Sequence, residues 1–215
     1  MSNSSRNAML AKIRTAISNG SRGDFHEAHT NAAYLSNDDG NIAVRIDLFA
    51  HRVAEYKAWV GRCKADAIAQ AIGERLMIRG KKRIVIPSDL PASWLPTGID
   101  FIRDAQLDRA EVAGMDGVLS GAALGIAQTG TIVLDGGAFQ GRRMISLLPD
   151  YHLCIIRAQD IVGMVPEAFT QLEAARRNPI QPYTFISGPS ATSDIELNRV
   201  EGVHGPRTLD VFIVG

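Results

Sequence analysis

Apolar positions along this chain follow two different periods, and the change falls near residue 80. Upstream the period is helical. Leu10, Ile13 and Ile17 are spaced three and four apart and predict a short amphipathic helix over 7–17, ending near Gly20. Phe49, Val53, Tyr56 and Val60 share one face of a second helix, and Ala65, Ile68, Ile72 and Leu76 share one face of a third. The third stops at Arg79-Gly80, with a cation in its last turn and a glycine past it. Residues 21–41 are polar, contain Asn37-Asp38-Asp39-Gly40, and read as a linker or mobile loop.

Downstream the apolar residues gather into short runs bounded by glycine and proline, which predict strands. These runs are Arg83–Ile86, Ile99–Ile102, Gly117–Leu119, Gly130–Leu134, Leu153–Ile156, Tyr183–Ile186 and Leu209–Val214. A helix with Pro166 in its first turn and Arg176-Arg177 at its end lies among them. Short apolar strands alternating with helices predict an α/β fold with an open, largely parallel sheet covered on both faces. The expected division is an N-terminal helical segment, 1–79, packed on a core formed by an α/β domain, 80–215. In such sheets ligands gather outside the carboxyl ends of strands. Two polar loops are expected there, Asp135–Pro149 and Ser187–Pro206. The second is longer than a mere connection requires.

Composition narrows the function classes. In 215 residues, 46% are hydrophobic and 21% charged, ordinary values for one large globular domain, and the formal net charge of zero argues against a general nucleic-acid or anionic-membrane role. Cys63 and Cys154 stand alone, whereas a [4Fe–4S] cluster normally takes four thiolates, so no cluster or other cofactor is expected in this chain. No stretch of 18 apolar residues exists and the first 20 residues lack a signal-like core, so the expectation is a cytoplasmic protein without a membrane span.

Candidate chemistry lies in three places. Thr129-Gly130-Thr131 offers hydroxyls and backbone N–H groups suited to a carboxylate or phosphate, and equally reads as a tight turn before a strand. Arg142-Arg143 follows a glycine and suits bidentate anion binding. In an extended segment the two arginines point to opposite sides, so one of them is expected to face a site. In the long loop, Ser193-Asp194-Ile195-Glu196 matches a capping box, and a helix start also attracts anions. His204, between Gly202 and Gly205, suits proton exchange near its ordinary pKa of about 6.5. His152, just before an apolar strand, reads as a structural histidine. His26 and His29 are one residue short of a metalloprotease signature, and no metal site is expected. No phosphate-loop, dinucleotide-binding or nucleophile-elbow motif is present.

Four segments together resemble the lactate utilization protein C family, the LUD-domain proteins: Thr129-Gly130-Thr131, Ser146-Leu147-Leu148-Pro149 with His152, Gly188-Pro189-Ser190-Ala191-Thr192-Ser193-Asp194-Ile195-Glu196, and Gly202-Val203-His204-Gly205-Pro206. The resemblance runs from about Ile84 to the C-terminus. It implies a fold similar to that of sugar-phosphate isomerases, CoA transferases and folate cyclo-ligases. It also implies a part in oxidation of L-lactate to pyruvate beside iron–sulfur partner subunits. Within that frame Thr129, Gly130, Thr131, Arg142, Arg143, Ser190, Thr192 and Arg199 are expected to bind a small carboxylate. His204 is expected to carry a proton, with Asp194 and Glu196 shaping the loop around it. The family usually has an acidic residue where this chain has Gln128. If that carboxylate is a base this protein lacks it, and if it only orients the turn an amide serves. The alternative is a stand-alone enzyme acting on a phosphate or acyl-CoA substrate.

Overall fold

The computed structural model describes residues 3–19, 38, 40–175, 181–192, 200–201 and 205–215. The chain divides into two units, Met1–Leu35 and Ser36–Gly215. The first contains helix α1 (Asn3–Asn19). Everything below belongs to the second unit.

That unit opens with α2 (Ile42–Glu55), whose start is capped by the Asn41 side chain accepting from the Ala43 N–H at 2.8 Å. Phe49 and Val53 are its buried face. Lys57 takes a positive φ of 67° just beyond it and turns the chain into strand β1 (Trp59–Cys63). The helical spacing that reaches Val60 therefore ends at Glu55, and Val60 belongs to a strand. Helix α3 (Ile68–Ile78) follows and stops at Gly80, φ +64°, as the glycine past its last turn predicts.

The chain continues through β2 (Arg83–Ile86), β3 (Asp100–Arg103), α4 (Arg109–Ala113) and β4 (Gly117–Gly121). Two short strands come next, β5 (Leu124–Ile126) and β6 (Thr131–Leu134). Then come α5 (Arg143–Leu147), β7 (Tyr151–Arg157), β8 (Ile161–Val162), α6 (Val165–Ala174), β9 (Thr184–Ile186), the two-residue strands β10 (Ala191–Thr192) and β11 (Val200–Glu201), and β12 (Thr208–Val214).

Six strands form one parallel sheet in the order β1-β12-β7-β4-β2-β3. Its central strands β4, β7 and β12 are buried almost end to end, which is why they are mostly apolar, with Ser120, His152 and Asp210 as buried polar exceptions. One face is covered by α3, through Ile68, Ile72 and Leu76 against Ile84, Leu119, Leu153 and Phe212. On the other face α4 and α5 pack over Val85 and Val118. Beside them α2 and a second sheet, ordered β8-β5-β6-β9, pack over Cys154, Val211 and Ile213. That second sheet is mostly antiparallel and is backed by α6 through Ala168 and Leu172. The open, largely parallel α/β sheet is thus present, and four of the twelve strands among the described residues belong to an additional layer on it.

This layer changes where the two polar loops lie. Both follow strands of the small sheet, β6 and β9, rather than strands of the parallel sheet. The first crosses the carboxyl ends of β2 and β4: Gly121 N–H donates to the Phe139 carbonyl at 2.7 Å, and Phe139 N–H donates to Asp89 at 2.8 Å. The second returns to the amino end of β12. The expectation that both sit at carboxyl ends of the main sheet holds for the first loop only. The reason is that the antiparallel pairing of β6 with β9 reverses the chain's direction.

Candidate functional site

A polar groove lies along helix α5, whose residues line two adjoining compartments. One compartment, about 310 Å³, is lined by Ser88, Asp104 and Gln106 beyond β2 and β3, by Gly141, Arg142, Arg143 and Ser146, and by Gln181 and Thr184. A second, about 350 Å³, is lined by Arg143, Ser146 and Leu147, by His152 and Leu209 on β7 and β12, and by the segment Thr184–Ala191 with Gly205 and Pro206. Arg143, Ser146 and Thr184 belong to both compartments. Each has a volume in the range of small-molecule sites.

The two adjacent arginines take different roles. Arg142 is the residue before α5, with extended backbone, and its guanidinium grips Asp104: Nε donates to one carboxylate oxygen at 2.7 Å and Nη2 to the other. Nη2 also donates to the Leu107 carbonyl at 2.9 Å. The Arg142 hydrogen bonds hold the Asp104 carboxyl below the usual carboxylate range. Arg143 is the first residue of the helix and is exposed at the junction of the compartments. Among the described residues no carboxylate pairs with it. The segment is the start of a helix rather than an extended run, and both arginines line the first compartment; what separates them is Asp104, which pairs with Arg142.

Thr129, Gly130 and Thr131 sit beside this groove rather than in its walls. Thr129 Oγ1 is 2.7 Å from Thr131 Oγ1, which is 2.8 Å from Ser187 Oγ, so the hydroxyls form a chain that reaches the groove at Ser187. Gly130 has φ +60° and lies against α2, where an added Cβ would meet the Arg52 backbone carbon and the Val53 nitrogen, 2.7 and 2.8 Å away. Replacing Gly130 with alanine is therefore expected to cost about 2 kcal/mol from the left-handed backbone and the clash together. A denaturant titration checks this, and an unchanged midpoint would contradict it. Gln128 is exposed, and its N–H donates to the Gly163 carbonyl at 3.0 Å.

Ser190 lines the groove, and its N–H donates to the Pro206 carbonyl at 2.8 Å, tying the two ends of the long loop together. Thr192 closes strand β10, paired with Val200. Asp194, Glu196, Arg199 and His204 lie outside the described residues, as do His26 and His29.

Two lining residues carry more weight than their sequence context suggests. Ser187, the first residue of the long loop, joins the hydroxyl chain to the groove. His152 is buried, with Nε2 2.8 Å from Ser120 Oγ, and burial pushes its pKa down to about 4. Its position before an apolar run signals a buried ring but not the cavity beside it. Cys154, two residues along the same face, is also buried, and its thiol is pushed up to about 12. Cys63 and Cys154 are both free. No helix among the described residues is long and apolar enough to cross a membrane.

Fold and groove together define an open α/β protein with a second, mostly antiparallel layer and a polar cleft at which Arg143 has no carboxylate partner among the described residues. The chain belongs to the LUD domain family, whose model matches residues 91–214. It is similar to lactate utilization protein C of Deinococcus radiodurans, 42% identical over 208 residues, which span 96% of this chain and 94% of that protein. Two more relatives match over little more than a third of their length. These are the uncharacterized protein YkgG of Escherichia coli, 43% identical over 38% of this chain and 36% of its own, and lactate utilization protein C of Halalkalibacterium halodurans, 41% identical over the same shares. The fold is similar to the crystal structure of a DUF162 family protein from Deinococcus radiodurans, with a TM-score of 0.71 at 37% identity, covering 82% of this chain and 99% of that one.

Proposed function

We propose that this protein serves lactate utilization as a carboxylate-binding component that works beside iron–sulfur partner subunits in the oxidation of lactate to pyruvate. The relatives named lactate utilization protein C support the process, and the long match to one of them makes it the leading reading. Arg143 carries the assignment of the site. A guanidinium with no carboxylate partner among the described residues, set between two polar compartments, is suited to take a carboxylate through two parallel hydrogen bonds. Leu147, Pro206 and Leu209 supply apolar wall for a short carbon chain. The redox step falls to partners in this reading, because Cys63 and Cys154 supply only two of the four thiolates that a [4Fe–4S] cluster normally takes.

The test is direct. Replacing Arg143 with alanine is expected to weaken L-lactate binding roughly 10–100-fold, the loss of one charge-assisted contact. The melting temperature should not move, because the side chain is exposed. Tagged protein from lactate-grown cells is expected to co-elute with iron–sulfur proteins and lactate-dependent dye reduction. Unchanged lactate affinity in the variant would remove the site assignment. Stabilisation by CoA or a sugar phosphate without partners, about 2.7 kcal/mol at 100 times Kd, and none by lactate, would replace the reading with a stand-alone enzyme.

A further inference from the structure

Among the described residues, one ring nitrogen beside the second compartment has no hydrogen-bond partner. His152 keeps about 1% of its surface, yet it lines the cavity. Its Nε2 is 2.8 Å from Ser120 Oγ, which is itself 3.0 Å from the Gly121 carbonyl. In the tautomer in which the hydroxyl donates to that carbonyl, Nε2 carries the ring proton and Nδ1 keeps a lone pair. Among the described residues this ring makes no second hydrogen bond. No buried side-chain nitrogen or oxygen of those residues lacks a partner either, so Nδ1 is the ring atom that reaches the cavity.

A lone pair in a nearly closed wall selects for a donor. Arg143 and Ser146 line the same compartment, and the Ser146 hydroxyl already donates to the Arg143 carbonyl at 3.0 Å. A ligand seated with its carboxylate on Arg143 thus meets a cation, an apolar wall and one bare acceptor. A 2-hydroxy acid supplies the matching O–H. A 2-oxo acid presents a second lone pair to the first, and an unsubstituted acid leaves Nδ1 unsatisfied.

We propose that His152 is the specificity-determining residue of this site, its outward ring nitrogen accepting the hydroxyl of a 2-hydroxy acid whose carboxylate lies on Arg143. The assignment rests on the carboxylate reading of Arg143 given above. Burial keeps the imidazole neutral at cellular pH, so it stays an acceptor there.

Calorimetry on the full chain with L-lactate, propionate and pyruvate tests it. L-lactate is expected to bind about tenfold more tightly than propionate, one neutral hydrogen bond's worth, with pyruvate weakest. His152→Leu is expected to remove the discrimination, bringing the affinities for lactate and propionate to within about twofold of each other. Because that substitution also strips Ser120 of its partner, a second measurement uses the unaltered chain. In ¹⁵N spectra of the imidazole, lactate should move the Nδ1 resonance as a hydrogen bond does, and propionate should not. Equal affinities for lactate and propionate, or an Nδ1 resonance that ignores lactate, would overturn the assignment to His152 while Arg143 dependence stands. If none of the three acids binds, or Arg143→Ala changes none of the affinities, the carboxylate reading falls first and takes this one with it.

Discussion

Replacing Asp210 with alanine is expected to remove about 3–5 kcal/mol of stability, the cost of leaving buried cations without their counter-ion. Asp210 sits in the middle of the parallel sheet on β12, with no exposed surface. Arg75 donates to it through Nε at 2.6 Å and Nη2 at 3.1 Å, Arg79 through Nε at 2.9 Å and Nη2 at 2.6 Å, and the Tyr151 hydroxyl at 2.9 Å. Arg75 also lies 3.8 Å over the Trp59 ring and is only 10% exposed, so water can replace little of what the carboxylate gives it. Burial alone would raise the Asp210 pKa, but the hydrogen bonds from Arg79 and Arg75 outweigh it and hold the carboxyl below its ordinary value. A depressed carboxyl contributes stability that is fully present above the unfolded-chain pKa of about 3.9 and is lost as pH falls through the lower folded value. Urea titrations across this range should show the wild type losing stability below about pH 4, with a flatter curve for Asp210→Asn. A loss under 1 kcal/mol for Asp210→Ala at pH 7 would mean that the two guanidinium groups relax into solvent.

The sequence speaks clearly where burial acts alone. Leu153–Ile156 and Leu209–Val214 read as buried strands because strands covered on both faces are near-continuous apolar runs, broken in the second only by Asp210. It misleads where local spacing and long-range pairing disagree. Val60 continues the helical spacing of Phe49, Val53 and Tyr56, yet it pairs with Val211 in β1, because the positive φ of Lys57 breaks the helix and the edge of β12 takes the next segment. The second sheet is hidden for a related reason. Strands of two to four residues carry too little pattern to show whether their partner runs parallel or antiparallel. At the site, residue types were legible and partnerships were not. Arg142 and Arg143 are identical in chemistry and adjacent in sequence, and only the position of Asp104, 38 residues upstream of Arg142, separates them. Asp210 looks like one polar break in an apolar run. Its importance comes from Arg75 on α3 and Arg79 just past its end, which no spacing rule connects to it.

That division between the two arginines gives the second large effect. Replacing Arg142 with alanine is expected to cost about 2–3 kcal/mol, toward the low end for a broken buried pair because the Arg142 side chain is itself 35% exposed. The loss arises on the other side of the pair, where Asp104 is only 3% exposed and keeps its charge without its bidentate partner. The Leu107 carbonyl loses a donor as well. Removing both members should therefore hurt less than the two single losses added together, and a double-mutant cycle with Asp104→Ala reads that difference as a coupling energy above about 1 kcal/mol. Additive losses would show the pair to be incidental. The same anchor sets the first turn of α5, so Arg142→Ala should also weaken L-lactate binding although Arg142 does not hold the ligand. Arg143→Ala should weaken binding while leaving the urea midpoint in place. Two neighbouring arginines separated in this way, one by stability and one by affinity, is the pattern expected if Asp104 consumes the first charge so that only the second is left for a carboxylate.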